Sequence, residues 1–219
     1  MAPDATVRPP GELLAPFPRF LLRLLLIVIF FGFIAVREAQ PITEALLPLF
    51  KSELALLEDT FRIDRLSVER EGADQVVRVE AELARPITLN GQTLLPDPRN
   101  RGTASTLTGN VLLPCVLLIA VALAWPVENG RQLATRLLIL APALLLLLLL
   151  NAPFVLRAVL LAPIAEAVNL HRSSPLFMWR SFLLGGGAFA LALALGACVG
   201  STTGRSRSCR DYGISRNPP

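Results

Sequence analysis

The chain has 219 residues, of which 53% are hydrophobic and 17% charged, with 21 basic and 17 acidic side chains and a formal net charge of +4. Soluble domains carry about a quarter charged residues, so this deficit excludes an ordinary soluble domain and points to several membrane spans. The basic excess does not mark a nucleic-acid partner: the arginines flank apolar runs, and the longest polar segment mixes acids with its bases, so no basic face accumulates.

Residues 1–19, with Pro3, Pro9, Pro10, Pro16 and Pro18, predict a short tail that cannot stay helical, read as cytoplasmic. Residues 20–36 form the first predicted transmembrane helix, led by Arg19 and containing Arg23, whose guanidinium can snorkel to the near interface. Arg37, Glu38, Ala39 and Gln40 follow, without a small-x-small cleavage site, so the run reads as an uncleaved signal anchor.

Residues 37–108 read as a small α+β domain outside the membrane. Ile42, Leu46, Leu47, Phe50, Leu54, Leu57 and Phe61 recur at helical spacing, with Glu44, Lys51, Glu53 and Glu58 between them. They predict an amphipathic helix capped by Thr43 and bent or limited by Pro48, which either lies on the outer leaflet or a partner, or packs on the sheet that follows. Val77, Val79, Ala81 and Leu83 alternate with charges as a half-buried strand. Phe61 and Ile63, then Leu66 and Val68, alternate with a one-residue slip at Asp64 and Arg65 that predicts a bulge. Glu71 to Asp74 reads as the loop between these runs. Asn90-Gly91 carries the strongest hairpin signal, because both residues accept positive φ. The expected result is a three- or four-stranded antiparallel sheet with the helix on one face, ended by the Pro96 to Gly102 segment and a polar Thr/Ser linker.

Residues 109–126 are the second predicted span, with Pro114 near its start and Trp125 at its end. The cytoplasmic loop 127–136 is short enough to make spans two and three an antiparallel hairpin. Span three, 137–157, lies between Arg136 and Arg157, roughly the 20 residues that cross a hydrocarbon core, and Leu144 to Leu150 offers no polar face to water. Within it Asn151 is expected to hydrogen-bond a neighbouring helix or a carbonyl freed by Pro153 or Pro142. Residues 158–181 read as an outer loop with an interfacial helix, and 182–200 as a fourth span whose Gly and Ala positions leave a small-residue surface for close helix approach. Residues 201–219 form a tail. Arg8, Arg19, Arg131, Arg136, Arg205, Arg207, Arg210 and Arg216 fall on one side of this plan and fewer arginines on the other. The positive-inside rule therefore puts both termini in the cytoplasm and the sheet domain outside an inner membrane. The fold class is an α-helical polytopic membrane protein, with four transmembrane helices and a small α+β extracytoplasmic domain between spans one and two.

This topology puts Cys115, Arg157 and His171 on one side. A thiol, an imidazole and an oxyanion-stabilising arginine are the minimum for acyl transfer from a cysteine. The competing reading takes Cys115 as an apolar span residue, Arg157 as a boundary charge and His171 as a loop residue. Spans two to four hold no Asp, Glu or Lys, which argues against proton-coupled transport. Cys115, Cys198 and Cys209 have no metal or disulfide spacing, and neither metal nor other cofactor is expected.

An arginine-led first span, an outer helix and β segment from Ile42 to Leu95, a return at Gly109-Asn110-Val111-Leu112-Leu113-Pro114 and three further spans together resemble the exosortase H-associated membrane proteins. The resemblance implies a non-enzymatic accessory role beside an exosortase-like membrane partner that cleaves and transfers proteins with a C-terminal sorting anchor. It also implies an alternative, because exosortases use a membrane cysteine followed by an arginine and a histidine, the order of Cys115, Arg157 and His171. The Leu-Pro-Cys-Val-Leu context of Cys115 and the low span count depart from that family. A third expectation is a membrane-structural protein that interacts with lipid.

Overall fold

The computed structural model describes residues 17–57, 61–89, 92–94, 102–127, 129–167 and 174–202. The elements run α1 (Phe17–Arg37), α2 (Ala39–Leu57), β1 (Phe61–Glu71), β2 (Asp74–Leu83), β3 (Ile87–Leu89), β4 (Gln92–Leu94), β5 (Gly102–Leu107), α3 (Thr108–Ala124), α4 (Gly130–Ala167), α5 (Pro175–Phe182) and α6 (Ala188–Thr202), with a π turn, Leu183–Gly187, joining the last two. By length and composition, three stretches suffice to cross a membrane: Phe20–Arg37, Gly130–Pro163 and Pro175–Thr202. Helix α3 is shorter at 17 residues, roughly 25 Å, yet it packs against α1, α4 and α6. The apolar helix that falls short of these three stretches is thus the one the others enclose.

The contacts fix the directions. At one end, Phe20 of α1 meets Trp125 edge to face at 5.7 Å between centroids, and Gly200 of α6 lies beside the same indole. At the other end Ala35 of α1 packs with Leu112 of α3, and Val155 of α4 with Leu183 and Ala188. Helices α1 and α4 therefore run one way and α3 and α6 the other. The sheet sits at the second end, where β5 passes directly into α3.

Helix α4 departs from the sequence reading. The interfacial helix expected at the start of 158–181 is continuous with span three, and 38 residues run unbroken from Gly130 to Ala167 through Pro142, Pro153 and Pro163. Past Asn151 one face of α4, carrying Leu156 and Leu160, packs on the sheet, while Ala158 and Ala165 pack on Phe177 of α5. Tertiary contacts on both faces carry the helix past the charge at Arg157, where span three was expected to end.

The sheet has order β1-β2-β5, antiparallel throughout, with β3 and β4 as a separate two-stranded pair. Two expectations change here. The polar Thr/Ser linker is the third strand, and the second hairpin lies outside the main sheet. Ala104 and Thr106 face inward while Thr103, Ser105 and Leu107 face out, so β5 alternates by burial without alternating in hydropathy. The bulge expected at Asp64 and Arg65 is present, with Ile63 opposite Ala81 and Arg65 opposite Glu80. The loop after Glu71 contracts to the two-residue turn Gly72-Ala73, whose first position takes φ 64° and so suits glycine. Asn90 and Gly91 lie outside the described residues.

Helix α2 follows α1 with one intervening residue, Glu38, whose N–H still donates to Ile34 O at 2.8 Å. It buries Phe50 and Leu54 completely, Leu54 into the sheet core with Val77, Val79 and Ala81, and Phe50 against Val111 and Ala152 of the bundle. Packing on the sheet is therefore the observed use of its apolar stripe. Thr43 is not a cap, because α2 starts at Ala39; its buried hydroxyl donates back to Ala39 O at 2.7 Å.

Candidate functional site

The buried polar chemistry gathers around α3, where one proline and the helix's own C-terminal end leave carbonyls open. In an α-helix the carbonyl of residue i accepts from the N–H of i+4, and proline has none to give. Pro114 therefore frees Asn110 O, and Ala122 O has no helical donor because it lies in the last turn of α3, which ends at Ala124. Both carbonyls are filled from α4. Asn151, 4% exposed, donates through Nδ2 to Asn110 O at 2.8 Å. Arg136, 1% exposed, donates through Nη1 to Ala122 O at 3.1 Å and Trp125 O at 2.7 Å, and through Nη2 to Pro126 O at 3.3 Å. The Asn151 bond to a neighbouring helix agrees with the sequence expectation, but the proline that opens its acceptor is Pro114. Arg136, read as a flanking charge, is the buried cap of α3.

Further contacts tie α5 and α6 to this pair. Trp179 Nε1 donates to Leu150 O at 3.1 Å. On α6, Ala192, Gly196 and Gly200 form a buried ridge toward α3. A Cβ built at Gly196 would lie 2.8 Å from Val121 Cβ, and one at Gly200 2.9 Å from the Trp125 ring. Half of the expected small-residue surface is thus consumed inside the bundle, while Ala190, Ala194 and Ala197 stay exposed.

The candidate catalytic residues occupy different levels. Cys115 is 9% exposed, shares an apolar cluster with Leu118, Leu147 and Ala192, and donates its thiol to Val111 O at 3.4 Å. Asn151 and Asn110 mark one level of the antiparallel α3–α4 pair. Cys115 lies five residues from Asn110 toward the chain-terminal end, and half-buried Arg157 six residues from Asn151 toward the sheet. At 1.5 Å per residue that separates the two by roughly 16 Å along the axis. His171 lies outside the described residues. The structure therefore does not bring Cys115 and Arg157 together.

No protein-family model, curated protein or solved structure matches this chain. Its reading rests on its own residues. Among the described residues no group of three or more His, Cys, Asp or Glu side chains could hold a metal ion.

Among the described residues one concavity is a cleft of about 410 Å³ at the sheet end of the bundle. The α1–α2 break contributes Ala35, Val36 and Ala39, the β1–β2 turn Asp74 and Gln75, and the β5–α3 junction Thr108 to Asn110. Two buried polar atoms here, Thr108 Oγ1 and Gln75 Oε1, have no hydrogen-bond partner. Sequence reading passed over both, because neither belongs to a motif. A third orphan, Glu53 Oε2 on α2, belongs to a carboxyl whose pKa burial pushes up to about 7.

Proposed function

We propose that this chain is a four-span integral membrane protein of the inner membrane that acts by contact, as an accessory to a second membrane protein, rather than by chemistry of its own. Helix α3 serves as the fourth span, both termini lie in the cytoplasm, and α2 with the sheet forms the extracytoplasmic domain. The observation that carries the reading is the bare apolar flank of α1: Leu22, Leu26, Phe30 and Phe33 are 58%, 58%, 61% and 65% exposed, a face that only lipid or another membrane helix can cover. The separation of Cys115 from Arg157 supports a non-enzymatic role. The resemblance to exosortase H-associated proteins makes the partner a sorting transpeptidase acting on C-terminally anchored envelope proteins.

The test is the processing of such proteins in the producing cell with the intact chain, a complete deletion and Cys115→Ala. Impaired processing on deletion alone is the expected outcome. Equal impairment by Cys115→Ala, with the variant still accumulating in the membrane, would return the cysteine to a chemical role. Normal processing after deletion would remove the sorting connection.

A further inference from the structure

Helix α1 presents a shorter apolar length to lipid than α6 does. Its exposed flank lies between Arg23 and Arg37, both themselves exposed. At 1.5 Å per residue these two stand roughly 21 Å apart along the axis, against a hydrocarbon core of about 30 Å. Among the described residues no carboxylate pairs with Arg23, so its charge has to reach water or headgroups. At the other end Arg37 pairs with Glu38 at 3.6 Å, and their side chains are 71% and 52% exposed. The first turns of α2 hold that polar level in place. Ala39, Ile42 and Leu46 pack with Ala35, Leu112 and Val116, while on the exposed face of α2 Gln40 donates to Glu44 at 2.8 Å. Side-chain reach does not lengthen the stretch. Side chains lean toward a helix N-terminus, so what Arg23 gains by leaning toward its interface Arg37 loses by leaning back into the apolar layer. Helix α6, which α3 separates from α1 over most of its length, differs. From Ser181 to Thr202 no side chain is charged, a stretch of roughly 30 Å as helix, and Leu184, Phe189 and Leu193 face out along it.

We propose that the α1 flank thins the bilayer against it and takes short-chain phospholipid in preference to long, while the α6 side sits in lipid of ordinary thickness. The shortfall on α1, roughly 9 Å, has to be met somewhere. A bilayer of full thickness would draw Arg23 or the Arg37–Glu38 pair into hydrocarbon, and tilting α1 would only shorten its projection. Bringing the headgroups to the two arginines keeps both charges hydrated. Lipids whose chains are already short reach this length with less deformation. The assignment rests on the membrane reading proposed above. It also favours the accessory contact, because a companion helix that covers the flank relieves the mismatch.

The experiment is quenching of tryptophan fluorescence by brominated phosphatidylcholine in vesicles holding the full chain. Trp125→Phe and Trp179→Phe remove the native indoles, and Phe30→Trp on α1 or Leu193→Trp on α6 places one reporter at mid-span, at positions 61% and 47% exposed. Vesicles mix dimyristoleoyl and dioleoyl phosphatidylcholine, one of them brominated at a time, which gives the relative affinity of each side for the two chain lengths. At the Phe30→Trp reporter the shorter lipid is expected to bind about threefold more tightly. At the Leu193→Trp reporter it should have no advantage. Arg23→Leu extends the uncharged stretch to Arg19, roughly 27 Å, and should abolish the preference on α1. The same chain preference at both reporters overturns the proposal, as does a preference on α1 that survives Arg23→Leu. Where Trp125→Phe does not fold, the same affinities come from the difference between chains with and without the added reporter. Absence of quenching at both positions would remove the membrane reading as well, whereas equal preferences leave it standing. The accessory role is measured separately, by processing in cells.

Discussion

At the residue scale, two side chains of α4 fill carbonyls that α3 leaves open, one at Pro114 and one at its C-terminal end. Losing Asn151 leaves the part-buried Asn110 O without its donor, at a cost of about 1 kcal/mol; interhelical bonds in lipid average somewhat less. Asn151→Leu should accordingly lower the detergent-solubilised melting temperature. The cost should shrink in a Pro114→Ala background, where residue 114 regains an N–H for the same carbonyl. Full additivity of the two changes would show that the two residues do not share Asn110 O. Glu53 provides a pH test. Its pKa is raised from 4.5 to about 7 by burial, so between those values the folded chain holds a proton that the unfolded chain has lost. Stability should therefore be greatest below about pH 4.5 and fall as pH rises to about 7. Discounted for partial exposure the loss is about 1 kcal/mol. Glu53→Gln should flatten that slope in pH-dependent melting, and an unchanged slope would assign it to another group.

At the element scale, α3 is held by close approach as much as by hydrogen bonds. Gly196 lets α6 come within contact of Val121 and the Leu118 carbonyl. Gly196→Val should force the pair apart and cost about 2 kcal/mol or more, as overpacking does. Ala194→Val, on the exposed side of the same helix, should change little. Comparable losses from both, measured by melting in the same detergent, would deny the ridge its role. The α5–α6 joint depends on glycine in a different way. Gly186 takes φ 103°, and a Cβ on Gly187 would overlap the Phe182 ring, so glycine at these two positions is what places Trp179 over Leu150 while α6 stays on α3.

At the scale of the whole molecule, the bundle leaves one helix largely uncovered: only 6% of the α1 span is buried. It touches α3 through Phe31 and Ala35 and turns Leu22, Leu26 and Phe30 outward. Replacing those three by alanine should leave the melting temperature nearly unchanged while lowering recovery of a companion protein from native membranes. Undiminished recovery would move the contact elsewhere. In contrast, Ala35→Phe should disturb the α1–α3 packing itself and lower stability.

Hydropathy and charge alone determined the class of this protein, its long apolar helices, the β1–β2 hairpin with its bulge, and the helical stripe of α2. Each depends on a short-range period or on the length of an uninterrupted run, so it is legible without knowing what lies opposite. Tertiary structure alone decided the rest. Strand β5 has no hydropathy contrast, and only pairing with β2 makes it a strand. Helix α4 continues to Ala167 because the sheet and α5 cover it. The cleft joins residues from the α1–α2 break, the β1–β2 turn and the start of α3, and Arg136 became a cap only because it packs against the open carbonyls at the end of another helix, α3. Non-local contacts of this kind leave no period in a sequence, because the physical demand that each buried donor or acceptor find a partner acts through space and not along the chain.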